Sequence, residues 1–246
     1  MLRRALRLFA TVITLAPSAR AQSASWPTTH QEATWLTASI ERPVSERTAL
    51  WFDGSWRRMG SGSEPQQTLL RPGIIRTIGP GIRVGAGYTY AATQPYGELP
   101  SATPFREHRL WQDIRFHSTH GALALTQRFR WEQRWIAPVL GGGTGDFVYQ
   151  QRARVMVRGQ APLGALTYRA RPVTWYAQEE LLLPVGHDGA LGRFAQNRFL
   201  VGAGLPLTPH QRLDLGYQNL WNALPSRQAN EVNHVLTVSW VITAER

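Results

Sequence analysis

The sequence predicts an all-β fold: one antiparallel transmembrane β-barrel of twelve strands, or as few as ten, following a cleaved signal peptide. Three observations predict it. Gln127 to Arg134 reads Gln-Arg-Phe-Arg-Trp-Glu-Gln-Arg. Successive strand side chains point to opposite faces. Arg128, Arg130, Glu132 and Arg134 therefore share one face, while Leu123, Leu125, Phe129, Trp131 and Trp135 share the other. This alternation recurs in segments of roughly 10–13 residues, enough for the ~9–11 a tilted strand needs to cross hydrocarbon; soluble strands are commonly about half as long. Finally, ten tryptophans and seven tyrosines suit aromatic girdles, where a ring with one apolar and one hydrogen-bonding end meets both membrane and water. Charge inside and hydrophobe outside is the arrangement a membrane barrel requires.

Residues 1–21 read as an export signal, with Arg3, Arg4 and Arg7 at a basic start, Leu8 to Ala16 apolar, and Ala19-Arg20-Ala21 before the cut. Cleavage is expected before Gln22, leaving 22–246 as one barrel domain. The apolar run is too short for a spanning helix of about 20 residues. There is no cysteine, which excludes disulfides, thiol chemistry and a lipidated cysteine at the cleavage site. All 27 basic residues are arginine; without the four of the signal, 23 face 16 acids, a net charge of +7. The arginines stand singly at intervals of two rather than in clusters. Anionic lipid heads or anionic solutes are therefore the expected partners, not nucleic acid.

Apolar residues at three- and four-residue spacing are absent, so no helix is expected. Strands are expected near 33–42, 46–58, 66–78, 82–91, 107–117, 122–134, 148–159, 172–183, 193–204, 211–222 and 231–243. In the first three, alternation turns Glu41, Asp53 and Arg71 inward. The fourth sends Ile82, Val84, Ala86, Tyr88 and Tyr90 outward, and Arg83, Gly85, Gly87 and Thr89 inward. The fifth turns Glu107, Arg109, Trp111, Asp113 and Arg115 in. The seventh turns in Arg152, Arg154, Met156 and Arg158. In the eighth, Glu179 and Glu180 are adjacent and only one can face in; Glu180 is favoured. The ninth turns in Arg198, Gly202 and Gly204, the tenth Arg212 and Asp214, and the last Asn233, Thr237 and Ser239.

Connections alternate between tight (43–46, 79–81, 118–121, 205–210) and long (59–65, 92–106, 135–147, 184–192, 223–230); 160–171, a turn-side connection in this scheme, breaks the rule unless the eighth strand begins near Leu166. Bacterial barrels place short turns in the periplasm and long loops outside, with even strand counts. Eleven strands violate that parity. A twelfth, irregular segment within Gln22 to Glu32 is the expected repair.

Several short motifs, in order, resemble a bacterial outer-membrane family known as domain of unknown function 2490. They are Leu70-Arg71-Pro72-Gly73-Ile74, Glu107-His108-Arg109-Leu110-Trp111-Gln112, Arg128 to Arg134, Arg152-Ala153-Arg154, Gln196-Asn197-Arg198, Leu215-Gly216-Tyr217 and Asn233-His234-Val235-Leu236. The resemblance implies an outer-membrane β-barrel and lends no catalytic residue.

The lumen inventory carries the chemistry. Arg71, Arg83, Arg109, Arg115, Arg128, Arg130, Arg134, Arg152, Arg154, Arg158, Arg198 and Arg212 face Glu41, Asp53, Glu107, Asp113, Glu132, Glu180 and Asp214. One reading is a structural ladder of bidentate ion pairs. The other is a positive constriction, since rings of arginine select anions. Functionally, this suggests a Gram-negative outer-membrane protein whose lumen is a narrow pore or binding site for anionic solutes; the alternatives are a lipid-modifying acyl hydrolase or transferase, and a purely structural barrel. Catalysis is not the favoured expectation. Of the histidines, His30, His108, His117, His120, His187, His210 and His234, the His187-Asp188 pair has no nucleophile beside it in sequence, and His117-Ser118-Thr119-His120 reads as ordinary turn chemistry. His117 and His120 lack a third metal ligand, and Gly141-Gly142-Gly143-Thr144-Gly145 lacks the lysine of a phosphate loop. No cofactor is expected. The last strand resembles the signal read by barrel-assembly machinery, although Thr243-Ala244-Glu245-Arg246 follows it instead of a terminal aromatic residue.

Overall fold

The computed structural model describes residues 26–186 and 195–244. The expected signal peptide and the pair His187-Asp188 lie outside them. Twelve strands form: β1 (Thr28–Pro43), β2 (Thr48–Met59), β3 (Glu64–Gly79), β4 (Ile82–Thr93), β5 (Phe105–His120), β6 (Leu123–Leu140), β7 (Gly143–Thr144), β8 (Val148–Tyr168), β9 (Arg171–Val185), β10 (Gln196–Thr208), β11 (Gln211–Leu224) and β12 (Ala229–Thr243). Eleven of them close a barrel in chain order, and β7 lies outside it, paired only with Val139 and Leu140 of β6.

Neighbours are antiparallel throughout except at the seam, where β1 and β12 run parallel from Thr28↔Asn230 to Glu41↔Thr243. With eleven alternately directed strands, the first and last must point the same way, and closure is possible only through a parallel pair. This corrects the expected origin of the twelfth strand. Thr28 to Glu32 are the opening residues of β1 itself, the carbonyl of Pro27 accepts from Asn230 N at 2.8 Å, and the twelfth strand is Gly143–Thr144.

The tight turns gather at one end of the barrel and the longer loops at the other. The irregular 160–171 connection proves to be strand: β8 runs to Tyr168 and β9 starts at Arg171, with a bulge between Pro162 and Thr167. Arg169 and Ala170 alone make the turn, with φ of 52° and 58°. Two successive left-handed residues define the hairpin turn whose twist suits its strands, normally supplied by Asn-Gly. A Cβ in that conformation is unfavourable. Ala170→Gly is therefore expected to stabilise the barrel by about 0.5–1 kcal/mol, seen as a raised urea midpoint. At the β5–β6 turn, His117 and His120 sit on the end of β5 instead of in the connection, because Ser118 to His120 still pair with Leu123 to Leu125.

The two faces separate by chemistry. Leu50, Phe52, Trp56, Leu70, Ile74, Leu110, Phe129, Phe199, Leu215 and Leu236 are exposed on the outer wall. Trp35, Leu69, Ile75, Trp111, Tyr176, Leu182, Leu220 and Val235 are buried inside. Eight strands enclose a space that ordinary side chains fill; eleven enclose more, and long arginines occupy it.

Candidate functional site

Inside the barrel, among the described residues, seven carboxylates bind guanidinium groups. Arg109 Nε and Nη2 donate to the two oxygens of Glu107 at 2.6 and 2.8 Å, and Arg134 grips the same carboxylate at 2.5 and 3.2 Å. Asp113 accepts from Arg115 Nη2 at 3.0 Å and from Arg130 Nη2 at 2.6 Å. Glu132 accepts from Arg152 Nε and Arg154 Nη1, both at 2.8 Å. Arg154 continues to Glu180 at 2.7 Å, where Arg128 donates at 2.6 Å and Arg198 approaches to 3.6 Å. Asp214 holds Arg212 at 2.5 Å and Arg158 at 3.3 Å. Arg71 bonds to Asp53, and Arg83 to Glu41. The inventory read from alternation thus forms a ladder of neighbouring ion-pair groups, the largest running from Arg152 through Glu132, Arg154 and Glu180 to Arg128 and Arg198. Glu180 is its inward carboxylate, 2% exposed. Glu179 faces outward, accepting from Asn197.

Aromatic side chains brace the arginines, and glycines make the room. Trp111 is fully buried, stacks edge-on against Trp51 at 5.7 Å, and lies 4.2 Å from the Arg130 guanidinium. A Cβ on Gly73 would come within 2.6 Å of its ring, and one on Gly87 would collide with it. Tyr176 crosses Gly202 and Gly216 in the same way, its hydroxyl 2.5 and 2.7 Å from where their Cβ atoms would be. Arg158 stacks over that ring at 4.0 Å. Glycines in strands mark such close approaches.

Two charged residues of the lumen escape the sequence reading: Arg57 and Glu231. Arg57 follows Asp53 and Ser55 at the inward parity, and Glu231 precedes Asn233 at the same parity, so the alternation that found the others points to both. Arg57 lies flat on Trp35, 3.6 Å from its ring centroid, and donates through Nη1 to Gln67 Oε1 at 3.0 Å. Glu231 is held by amides: Gln31 at 3.3 Å, Asn222 at 2.9 Å and Asn233 at 2.5 Å.

The ladder leaves space on both sides of a collar. A cavity of about 130 Å³ lies toward the loop end, lined by Trp35, Arg57, Gln66, Tyr96, Arg109, Arg152 and Arg198 among others. One of about 220 Å³ lies toward the turn end, reaching Arg128, Arg130, Arg158 and Asp214. Trp35, Arg57, Arg71, Arg154 and Arg198 line both. Above the first, the segment 94–104 between β4 and β5 folds over the mouth. Tyr96 packs on Ala33, Trp35, Met59, Leu220 and Val235. Burial pushes its hydroxyl up to about 12. Arg227 donates to the carbonyl of Pro100 at 2.5 Å, tying the segment to the turn before β12.

His30, His108 and His234 sit apart from the lumen, whereas His117 keeps the inward parity of Arg115 at the turn end and pairs with Thr126 at 3.0 Å. His234 bridges His30 at 3.1 Å and Tyr217 at 2.6 Å on the outer wall near the loop end, and His108 joins Tyr88, Tyr90 and Phe147 at the same level. Among the described residues no three of His, Cys, Asp and Glu could together hold a metal ion.

Nothing among curated proteins and nothing among solved structures matches the chain. A family model does, over residues 32–231, a span running from β1 into β12 and taking in the whole arginine ladder; the chain belongs to the family described as protein of unknown function (DUF2490).

Proposed function

We propose that the protein is an integral outer-membrane barrel of a Gram-negative bacterium whose lumen takes in small anions. The apolar outer wall faces lipid, and the ring of Tyr88, Tyr90, His108, Tyr217 and His234 sits where membrane meets water. Tight turns face the periplasm and long loops the exterior. The partners are outer-membrane lipids, the barrel-assembly machinery that reads β12, and anionic small solutes.

One observation carries the anion reading. The collar between the two cavities is built from Arg57, Arg71, Arg154 and Arg198 around Trp35, and the lumen's arginines outnumber its carboxylates. Guanidinium groups cannot shed their charge in a protein. They therefore repel cations at this level and favour anions. In planar bilayers under a salt gradient, the reversal potential is expected to have the sign of anion permeation. A cation-selective current, or none, rejects the pathway. Recovery of the protein in soluble periplasmic extract rejects the location.

A further inference from the structure

We propose that the cavity beneath Tyr96 is a specific site for one compact oxyanion, of the phosphate or carboxylate type, gripped by Arg57 and Arg198. The inference rests on the anion-accepting lumen and adds a defined place and ligand chemistry to it.

Arg57 is the reason to look here. Every other lumen arginine named above lies within 4.0 Å of a carboxylate; Arg57 has no such partner among the described residues. It is 9% exposed, and its Nε is buried with nothing to donate to. A buried charge without a counter-charge is unfavourable, and guanidinium cannot escape by deprotonating. The charge calls for an anion that the protein chain does not supply.

The surroundings define that anion. Trp35 underlies the Arg57 guanidinium, 3.6 Å from its ring centroid, and Nη1 already donates to Gln67, so the remaining N–H groups are those an incoming acceptor would take. Arg198 lies near the same indole, 5.8 Å from the ring centroid. Its Nε and Nη2 both donate to Gln196 Oε1, at 3.0 and 2.7 Å. Its nearest carboxylate, Glu180 at 3.6 Å, is already shared with Arg128 and Arg154. Two under-neutralised forks thus border one cavity, and planar forks match carboxylate and phosphate better than a spherical halide. Size limits the ligand further: about 130 Å³ is close to a cavity that accepts a benzene-sized molecule, room for a few heavy atoms. Tyr96 lines the space at its loop end, and a Cβ on Gly97 of the same segment would meet Gln31, so this segment is seated closely.

The test uses the full mature barrel in detergent micelles, titrated calorimetrically with inorganic phosphate against a chloride background. Wild type is expected to bind saturably. Arg57→Gln should weaken binding about tenfold or more, the effect of losing charge-assisted hydrogen bonds. Arg57→Lys, which keeps the charge and loses the fork, should bind phosphate several-fold more weakly yet retain anion selectivity in bilayers. Arg83→Gln, at an ion pair that lines neither cavity, should bind like wild type. Phosphate binding that survives Arg57→Gln unchanged overturns the site, as does a wild type that never saturates; either result can coexist with an anion-selective current, so the pathway reading stands or falls separately. Arg57-dependent binding in a barrel without anion selectivity keeps the site and removes the pathway.

Discussion

Glu180→Gln is expected to cost the barrel about 3–5 kcal/mol, the range for removing one partner of a buried ion pair, and to lower the urea midpoint of unfolding in micelles accordingly. The carboxylate is 2% exposed and is the meeting point of three arginines. Glutamine has nearly the same shape, so the loss is electrical. Arg154 keeps Glu132 at 2.8 Å, and Arg198 keeps the amide oxygen of Gln196. Arg128 keeps no carboxylate, and its Nε is already buried without a partner. A second substitution, Arg128→Met, should recover part of the loss, because removing both members of a buried pair costs far less than removing one. Glu41 provides the contrast: its pair with Arg83 is about a quarter exposed on both sides, and Glu41→Gln should cost about 1 kcal/mol or less. If the two glutamine variants unfold at the same urea concentration, the ladder does not hold the lumen together as described.

How much of this could be read in the sequence follows from what strand alternation can and cannot encode. It encodes the face of each residue, and so the partners of Glu107, Asp113 and Glu132 were legible as inward charges before their bonds were known. The ambiguous pair Glu179-Glu180 resolves by register, since Met156↔Glu180 and Arg198↔Glu180 pairing places Glu180 between inward neighbours. Arg57 was legible by parity with Asp53, whereas the adjacent Arg58 turns out to the carbonyls of Gly62 and Ser63. Alternation says nothing about closure. The parallel seam is a global consequence of the odd strand number, and no local pattern in β1 or β12 announces it. Nor does it describe loops: the seat of Tyr96 depends on Trp35, Met59, Leu220 and Val235, from β1, β2, β11 and β12. The overrunning β8–β9 hairpin is not legible from alternation, because a bulge between Pro162 and Thr167 shifts its register.

Trp111→Ala is expected to destabilise the barrel by about 3–5 kcal/mol, the usual range for truncating a fully buried aromatic side chain, with the cost at the upper end. The reason is the notch. Cavities are partly healed when neighbouring side chains relax into them, and here the nearest neighbours on β3 and β4 are Gly73, Gly85 and Gly87, which have no side chain to contribute. The ring also supplies an edge contact for Trp51, a face for Arg130 and a hydrogen bond from Nε1 to the carbonyl of Tyr88 at 3.2 Å. Arg130 remains bonded to Asp113 after the substitution, so it should stay folded inward without its platform instead of leaving the lumen. The preceding residue gives the matched control. Leu110 is one position away on the same strand but points to the outer wall, 47% exposed, and Leu110→Ala should cost about 1 kcal/mol or less. Adjacent residues on one strand would then differ severalfold in their effect on the urea midpoint, solely because the strand turns one of them into the barrel. Equal effects at 110 and 111 would mean that the indole does not fill the glycine notch, and the bracing of the arginine ladder by Trp111 would have to be abandoned.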